Sequence, residues 1–214
     1  MELPTFSNVI LPNTEMKGAW ADYFKNDHPI TLELGCGKGE YTLALARLYP
    51  ERNFIGIDYQ SERLWVGAKA ALAEQLPNVA WLRIRTEAID NHFASGEVGE
   101  IWITFPDPYP RKKQAKHRLT SPAFLAVYKQ ILVPAGMVHV KTDDEQLFRY
   151  TRETVQASGG KVEEEIVDVH GQRAPSRRSV GTPRSHIGAI QTTFEKRHIA
   201  AGKKILYLSF SFDK

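Results

Sequence analysis

Residues 30–58, ITLELGCGKGEYTLALARLYPERNFIGID, restrict the fold more than any other stretch of the chain. Ile30, Leu32 and Leu34 alternate as in a strand and run directly into Gly35, Gly37 and Gly39. Tyr41, Leu45 and Leu48 then recur at helical spacing, and a second apolar run over 53–57 stops at Asp58. Strand, glycine turn, helix and strand together make half of a nucleotide-binding α/β fold. Glycine suits such a turn because the main chain bends tightly there and must come close to a ligand. A carboxylate about 20 residues beyond the glycines, at the end of the next strand, is placed to accept hydrogen bonds from two ribose hydroxyls.

The glycine spacing is G-x-G-x-G, where dinucleotide sites use G-x-G-x-x-G, and Glu33 stands two residues ahead of it. An acid at the mouth of the turn suits a cationic ligand better than a pyrophosphate. S-adenosylmethionine meets the requirements: it has a sulfonium and an amino group, a ribose for Asp58, and no phosphate. An ordinary strand-to-helix turn remains the alternative for the glycines taken alone.

Further α/β units follow. Residues 61–76 read as a helix with Ser61 as its cap, and 79–85 as a half-buried strand. Residues 87–93 read as a short helix or turn, and 99–105 as a strand. Ser121 and Pro122 open another helix, and 134–136 turn the chain. A strand then ends at Asp143 and Asp144, and 145–157 form a helix. Strands over 161–169 and 204–212 are separated by a long segment instead of a helix. The expectation is a single-domain α/β fold of the doubly wound, Rossmann-like kind. Its seven-stranded sheet is mostly parallel, with an antiparallel strand in the edge pair. Residues 1–29 are expected to form a loosely held N-terminal arm, 30–214 the domain proper, and 171–188 a mobile basic loop.

No apolar run approaches the ~20 residues of a membrane span, and the first 17 residues lack the pattern of a signal peptide. A cytoplasmic location is expected. A single cysteine, Cys36, excludes an internal disulfide and a cysteine metal cluster. No metal, membrane or obligatory protein partner is expected.

In an open α/β sheet ligands bind at the carboxyl ends of the strands. The polar residues there are Glu33, Asp58, Arg85, Glu87, Asp107 and the pair Thr142 and Asp143. In FPDPYP, at 105–110, prolines bracket both Asp107 and Tyr109, so Asp107 is held extended as the chain leaves its strand. Six of the next eight residues, at 111–118, are Lys, Arg or His. Such a run is usually a solvated face, but beside the ligand rim it points to phosphate and hence to nucleic acid.

Five stretches resemble the bacterial tRNA (guanine-N7-)-methyltransferases and span nearly the whole domain. They are LELGCGKGEY (32–41), FIGID (54–58), FPDPYPRKKQAKHRLTSPAFL (105–125), HVKTDDEQLF (139–148) and TTFEKRHIAAGKKI (192–205). The resemblance implies a class I methyltransferase that moves the methyl group of S-adenosylmethionine to N7 of a variable-loop guanosine in tRNA. It implies donor binding at Glu33 and Asp58 and a catalytic Asp107; the strand-end reading adds Gly35, Gly37 and Asp107 to the donor site and puts Arg85 or Glu87 beside the adenine. Substrate binding is implied at Arg111, Asp143, Thr192, Thr193, Phe194 and Glu195, while the cationic strip itself suggests tRNA backbone contacts at Lys112, Lys113, Lys116 and Arg118. The chain departs from the family pattern at Tyr109, where tryptophan is frequent, and at Arg111, where lysine is usual. It also has Arg85 and Thr86 where many members have an Asp-Ala pair. A methyltransferase acting on a small molecule or protein, and a non-catalytic RNA-binding relative, are the other readings that fit the same residues.

Overall fold

The apolar runs over 30–34, 53–58 and 101–103 alternate between two covered faces, which requires helices on both sides of the sheet. The computed structural model, which describes residues 6–171 and 187–212, has this arrangement. Eight strands form one sheet: β1 (Val9–Ile10), β2 (Ile30–Leu34), β3 (Asn53–Asp58), β4 (Val79–Arg83), β5 (Val98–Thr104), β6 (Leu132–Thr142), β7 (Gly160–Ile166) and β8 (Leu206–Phe212). Their order is β1-β4-β3-β2-β5-β6-β8-β7. The helices are α1 (Trp20–Phe24), α2 (Glu40–Leu48), α3 (Ser61–Ala73), α4 (Pro122–Ile131), α5 (Glu145–Ala157) and α6 (Thr193–Ala200), with 3-10 turns at Thr86–Asn91 and Lys112–His117.

The expected seven strands are present, and β1 extends the sheet to eight by pairing parallel with β4. Only β8 runs antiparallel, and it lies one place in from the edge, between β6 and β7. Among the described residues no helix is long and apolar enough to cross a membrane. Of the basic loop expected over 171–188, residues 172–186 lie outside the described residues.

The period of two assigns each strand residue to a face. Leu32, Leu34, Ile55, Ile57, Ile101 and Ile103 pack with α4 and α5 side chains such as Leu125 and Phe148. Their neighbours Phe54, Trp81, Trp102 and Tyr207 pack with Tyr41 and Leu45 of α2 and Leu64 and Ala68 of α3. Glu33, Lys141 and His139 belong to this second face. Where the sequence suggests a loosely held arm, the chain is anchored. Trp20 is fully buried, stacks on Phe93 at 5.2 Å, and donates its indole N–H to the His92 carbonyl at 2.9 Å. Trp81 lies beneath the glycine turn. A Cβ at Gly39, Gly56 or Gly67 would come within 2.0, 2.6 and 2.6 Å of its ring, so these glycines make a socket for the indole.

Three local details differ from the sequence reading. Gln60, not Ser61, occupies the cap position of α3, and its N–H is held by Asp58 Oδ1 at 2.9 Å. The turn expected at 134–136 is a bulge inside β6. There Val98 pairs with Leu132 but Glu100 with Met137, and Ala135 has φ 59°. The strand expected at 79–85 is buried through Leu82 instead of alternating, because both its faces are covered: Val79 and Trp81 pack with α2 and α3, and Ala80 and Leu82 in the opposite layer.

Candidate active site

The strand order reverses between β2 and β5, so the helices following these two strands leave on opposite faces and open a crevice at their carboxyl ends. Two adjoining clefts occupy it, of about 390 and about 340 Å³, and they share Gly35, Arg63 and Phe105.

The larger cleft contains Glu33, Gly35, Gly37, Thr192, Thr193 and Phe194. Glu33 is buried and accepts hydrogen bonds from the Thr42 N–H at 2.9 Å, the Thr42 hydroxyl, and the Thr104 hydroxyl at 2.8 Å. Burial nevertheless dominates and pushes its pKa up to about 7, the two threonine hydroxyls pulling the other way. Across the cleft, Thr193 donates its N–H and its hydroxyl, the latter at 2.6 Å, to Glu40 at the start of α2. This ties the beginning of α6 to the glycine turn. Phe194 is 44% exposed, with ring contacts to Phe105 at 5.1 Å and His198 at 4.1 Å.

The smaller cleft contains Asp58, Arg85, Glu87 and Asp107, with Tyr59, Tyr109 and His117. Asp58 Oδ2 accepts from the Gly37 N–H and Oδ1 from the Gln60 N–H, both at 2.9 Å. A carboxylate has about four acceptor positions. Two therefore remain, one on each oxygen, as a vicinal diol requires. Nothing stands within 4 Å of where a Cβ of Gly35 or Gly37 would be, so the turn leaves an open cradle beside that carboxylate. The donor set and the cradle fit an adenosine-bearing cation. Arg85 lies over the Tyr59 ring at 5.3 Å.

Asp107 is exposed on a strained turn. Phe105 and Tyr109 have φ of 50° and 43°, a conformation costing roughly 1–3 kcal/mol for each non-glycine residue. Ladder and side chain hold it there. The Phe105 N–H donates to the Lys141 carbonyl at 2.8 Å, and Arg118 donates to the carbonyls of Pro108 and Tyr109, both at 3.0 Å.

Arg118 accordingly departs from the cationic strip in which the sequence grouped it. It is 4% exposed and stacks on Tyr150 at 4.2 Å, so its fork is spent on bracing the turn. Arg111, Lys112, Lys113 and Lys116 are exposed on and beside the 3-10 turn that follows.

Two further residues are not brought into either cleft. Glu195 is fully buried and accepts from Lys141 Nζ at 2.8 Å and interacts with His170 Nε2 at 2.9 Å; Lys141 Nζ also donates to the carbonyls of Ile187 and Ile190. Burial lowers the Lys141 pKa against the pull of Glu195. Asp143 Oδ2 meets His198 Nδ1 at 2.8 Å and Lys203 Nζ at 2.6 Å. Burial acts to raise its pKa, but Lys203 and His198 outweigh it and leave the carboxyl below its ordinary value.

Sequence reasoning missed Thr104, Lys38, Glu40, Arg63 and Arg197 as cleft residues, and Thr42 as the partner of Glu33. Thr104 ends a strand and Glu40 opens a helix at the turn, so the strand-end rule reaches both; Arg63 and Arg197 give no local signal. The cap of α6 did have one. Thr192-x-x-Glu195 is a capping-box pattern, and the Thr192 side chain does accept from the Glu195 N–H at 3.1 Å.

A family model described as "Putative methyltransferase" matches residues 27–208. The tRNA (guanine-N(7)-)-methyltransferase of Christiangramia forsetii is 45% identical over 96% of this chain and 92% of that protein. The protein of the same name from Porphyromonas gingivalis is 45% identical over 91% of this chain and 76% of its own length. Among solved structures, 16S rRNA methyltransferase KamB superposes with a TM-score of 0.68 at 17% identity, covering 94% of this chain and 96% of its own. A 16S rRNA (adenine(1408)-N(1))-methyltransferase from Catenulisporales acidiphilia, solved with cosubstrate SAM, gives 0.59 at 15% identity, with 92% and 91% covered.

Proposed function

The chain belongs to the tRNA (guanine-N(7)-)-methyltransferase family, and from that premise we propose that it transfers the methyl group of S-adenosylmethionine to N7 of a variable-loop guanosine in tRNA, forming 7-methylguanosine. The observation that carries the reading is the meeting of two clefts at Gly35 and Phe105. One cleft offers a carboxylate suited to a ribose. The other offers an aromatic and hydroxyl rim suited to a purine, and exposed lysines flank the pair. The donor, when bound, supplies an electrophilic methyl group on a sulfur that leaves as a neutral thioether.

N7 of guanine carries a lone pair at neutral pH, so no residue has to remove a proton before attack. The work left to the chain is positioning, for which well-oriented reactants gain about 7–11 kcal/mol. Asp58 holds the ribose through its two free acceptor positions, and Glu33 balances positive charge at the other end of the turn. Phe194 and Phe105 supply a surface against which the purine lies. Asp107, on the braced turn in the ribose cleft, lies on the donor side and stabilises the positive charge as the methyl group passes from sulfur to N7. Arg111, Lys112, Lys113 and Lys116 take the tRNA backbone. The adenine lies beside the stretch 85–87, where Arg85 or Glu87 meets it.

Nucleoside mass spectrometry of an unmodified tRNA transcript, incubated with the protein and S-adenosylmethionine, tests the proposal. The expected product is 7-methylguanosine confined to the variable loop. Its absence while the donor binds would transfer the activity to another acceptor.

A further inference from the structure

We propose that Lys38, Arg63 and Arg197 form a second anion site that takes a phosphate of the RNA on the side of the nucleoside opposite the lysine strip. The inference rests on the tRNA reading above. The three cations come from three separate elements, the glycine turn, α3 and α6, and converge on the larger cleft. All three are exposed, and among the described residues none of them makes an ion pair. Three cations stand against two carboxylates in that cleft, and the carboxylates turn their oxygens to neutral donors: Glu40 accepts from Thr193 and Glu33 from Thr42 and Thr104, with burial raising the Glu33 pKa to about 7.

Most exposed arginines are simply solvated. These differ by lining one concave site, where low-dielectric walls concentrate the field. Arg63 also stands at the junction of the two clefts, next to where donor and acceptor must meet. A nucleoside drawn out of its stack into a pocket keeps a phosphate on each side. The strip from Arg111 to Lys116 adjoins the wall formed by Tyr109 and His117, and so reaches the backbone on that side only. Arg197 lines the other cleft, away from Tyr109 and His117, and Arg63 lines both. The carboxylate of the donor's methionine moiety is an anion of related chemistry, and the experiment separates the two.

The double variant Arg63→Gln, Arg197→Gln changes two exposed side chains that are unpaired among the described residues and leaves the core untouched. Binding of an unmodified tRNA transcript is measured by fluorescence anisotropy between 50 and 300 mM KCl. Loss of one phosphate contact makes the log–log salt dependence shallower by about 0.7 to 0.9 and weakens binding about tenfold at the low-salt end. Calorimetric titration with S-adenosylhomocysteine should agree with wild type within about twofold.

An unchanged salt slope would overturn the proposal. So would an S-adenosylhomocysteine affinity that falls about tenfold while that of 5′-methylthioadenosine, which has no carboxylate, stays constant. That result would assign the cations to the donor. Formation of 7-methylguanosine by wild-type protein is scored in parallel. Its failure would count against the reading of the function, whereas the slope alone decides the phosphate site.

Discussion

Replacing Glu33 by glutamine should make the protein more stable at alkaline pH and remove the pH dependence of donor binding. Burial raises this carboxyl from 4.5 to about 7, which disfavours its ionised form in the folded chain by about 3 kcal/mol. The native state therefore holds the proton more tightly than the unfolded chain. The associated stability is complete below pH 4.5 and is lost as pH rises through about 7. Glutamine escapes the loss, because its oxygen accepts from Thr42 and its amide faces a Thr104 hydroxyl free to rotate. Urea unfolding at stepped pH should show the difference between variant and wild type widening by about 3 kcal/mol in favour of the variant from pH 4 to pH 9. Donor binding moves the other way. Between pH 6 and pH 7.5 the ionised fraction of a group titrating at about 7 rises from about a tenth to about three quarters, so wild-type affinity for the cationic donor rises about eightfold. The variant should stay flat and weak. A stability difference constant with pH, or a variant with the wild-type pH profile for donor binding, would refute the reasoning.

Asp107→Ala should lower turnover about a hundredfold or more while donor affinity changes little, as single-turnover kinetics and calorimetry would read; wild-type turnover would remove Asp107 from the chemistry. Lys141→Met leaves the fully buried Glu195 without its cation and should cost about 3–5 kcal/mol in urea unfolding, most of it recovered when Glu195→Leu is added. A double-variant loss equal to the sum of the Lys141→Met and Glu195→Leu losses would show that the pair is not coupled. Arg118→Ala removes two charge-assisted bonds to the Asp107 turn and should cost about 2 kcal/mol and lower kcat, with the salt slope of tRNA binding unchanged. A shallower slope would return Arg118 to the phosphate strip.

What the sequence makes legible follows from how local the physics is. The turn at Gly35, the carboxylate at Asp58 and the rim of strand ends are set by short-range periodicity and by the rule that open sheets bind ligands at one end. Arg118 is different. Nothing in RKKQAKHR separates it from its neighbours, and only the carbonyls of Pro108 and Tyr109, brought back by the 3-10 turn, explain its burial. Glu195 was read with its neighbours as a substrate contact. Its partner Lys141 lies 54 positions away on an apolar strand, where a lysine is itself the clue to a buried pair. Trp20 and Phe24 carry no period long enough to announce that the N-terminal segment is anchored. Arg63 and Arg197 enter the cleft through helix packing, which no local pattern encodes.

The Trp81 socket ties four positions into one mutational unit. Enlarging Gly39, Gly56 or Gly67 while the indole is present drives a Cβ into its ring, at 2.0 to 2.6 Å. Shrinking Trp81 first leaves a void instead, which costs about 3–5 kcal/mol but does not force the main chain to move. A lineage leaving this arrangement must therefore surrender the tryptophan before it can surrender any of the glycines. The order of those substitutions is set by geometry before selection acts on the methyl transfer that the turn serves.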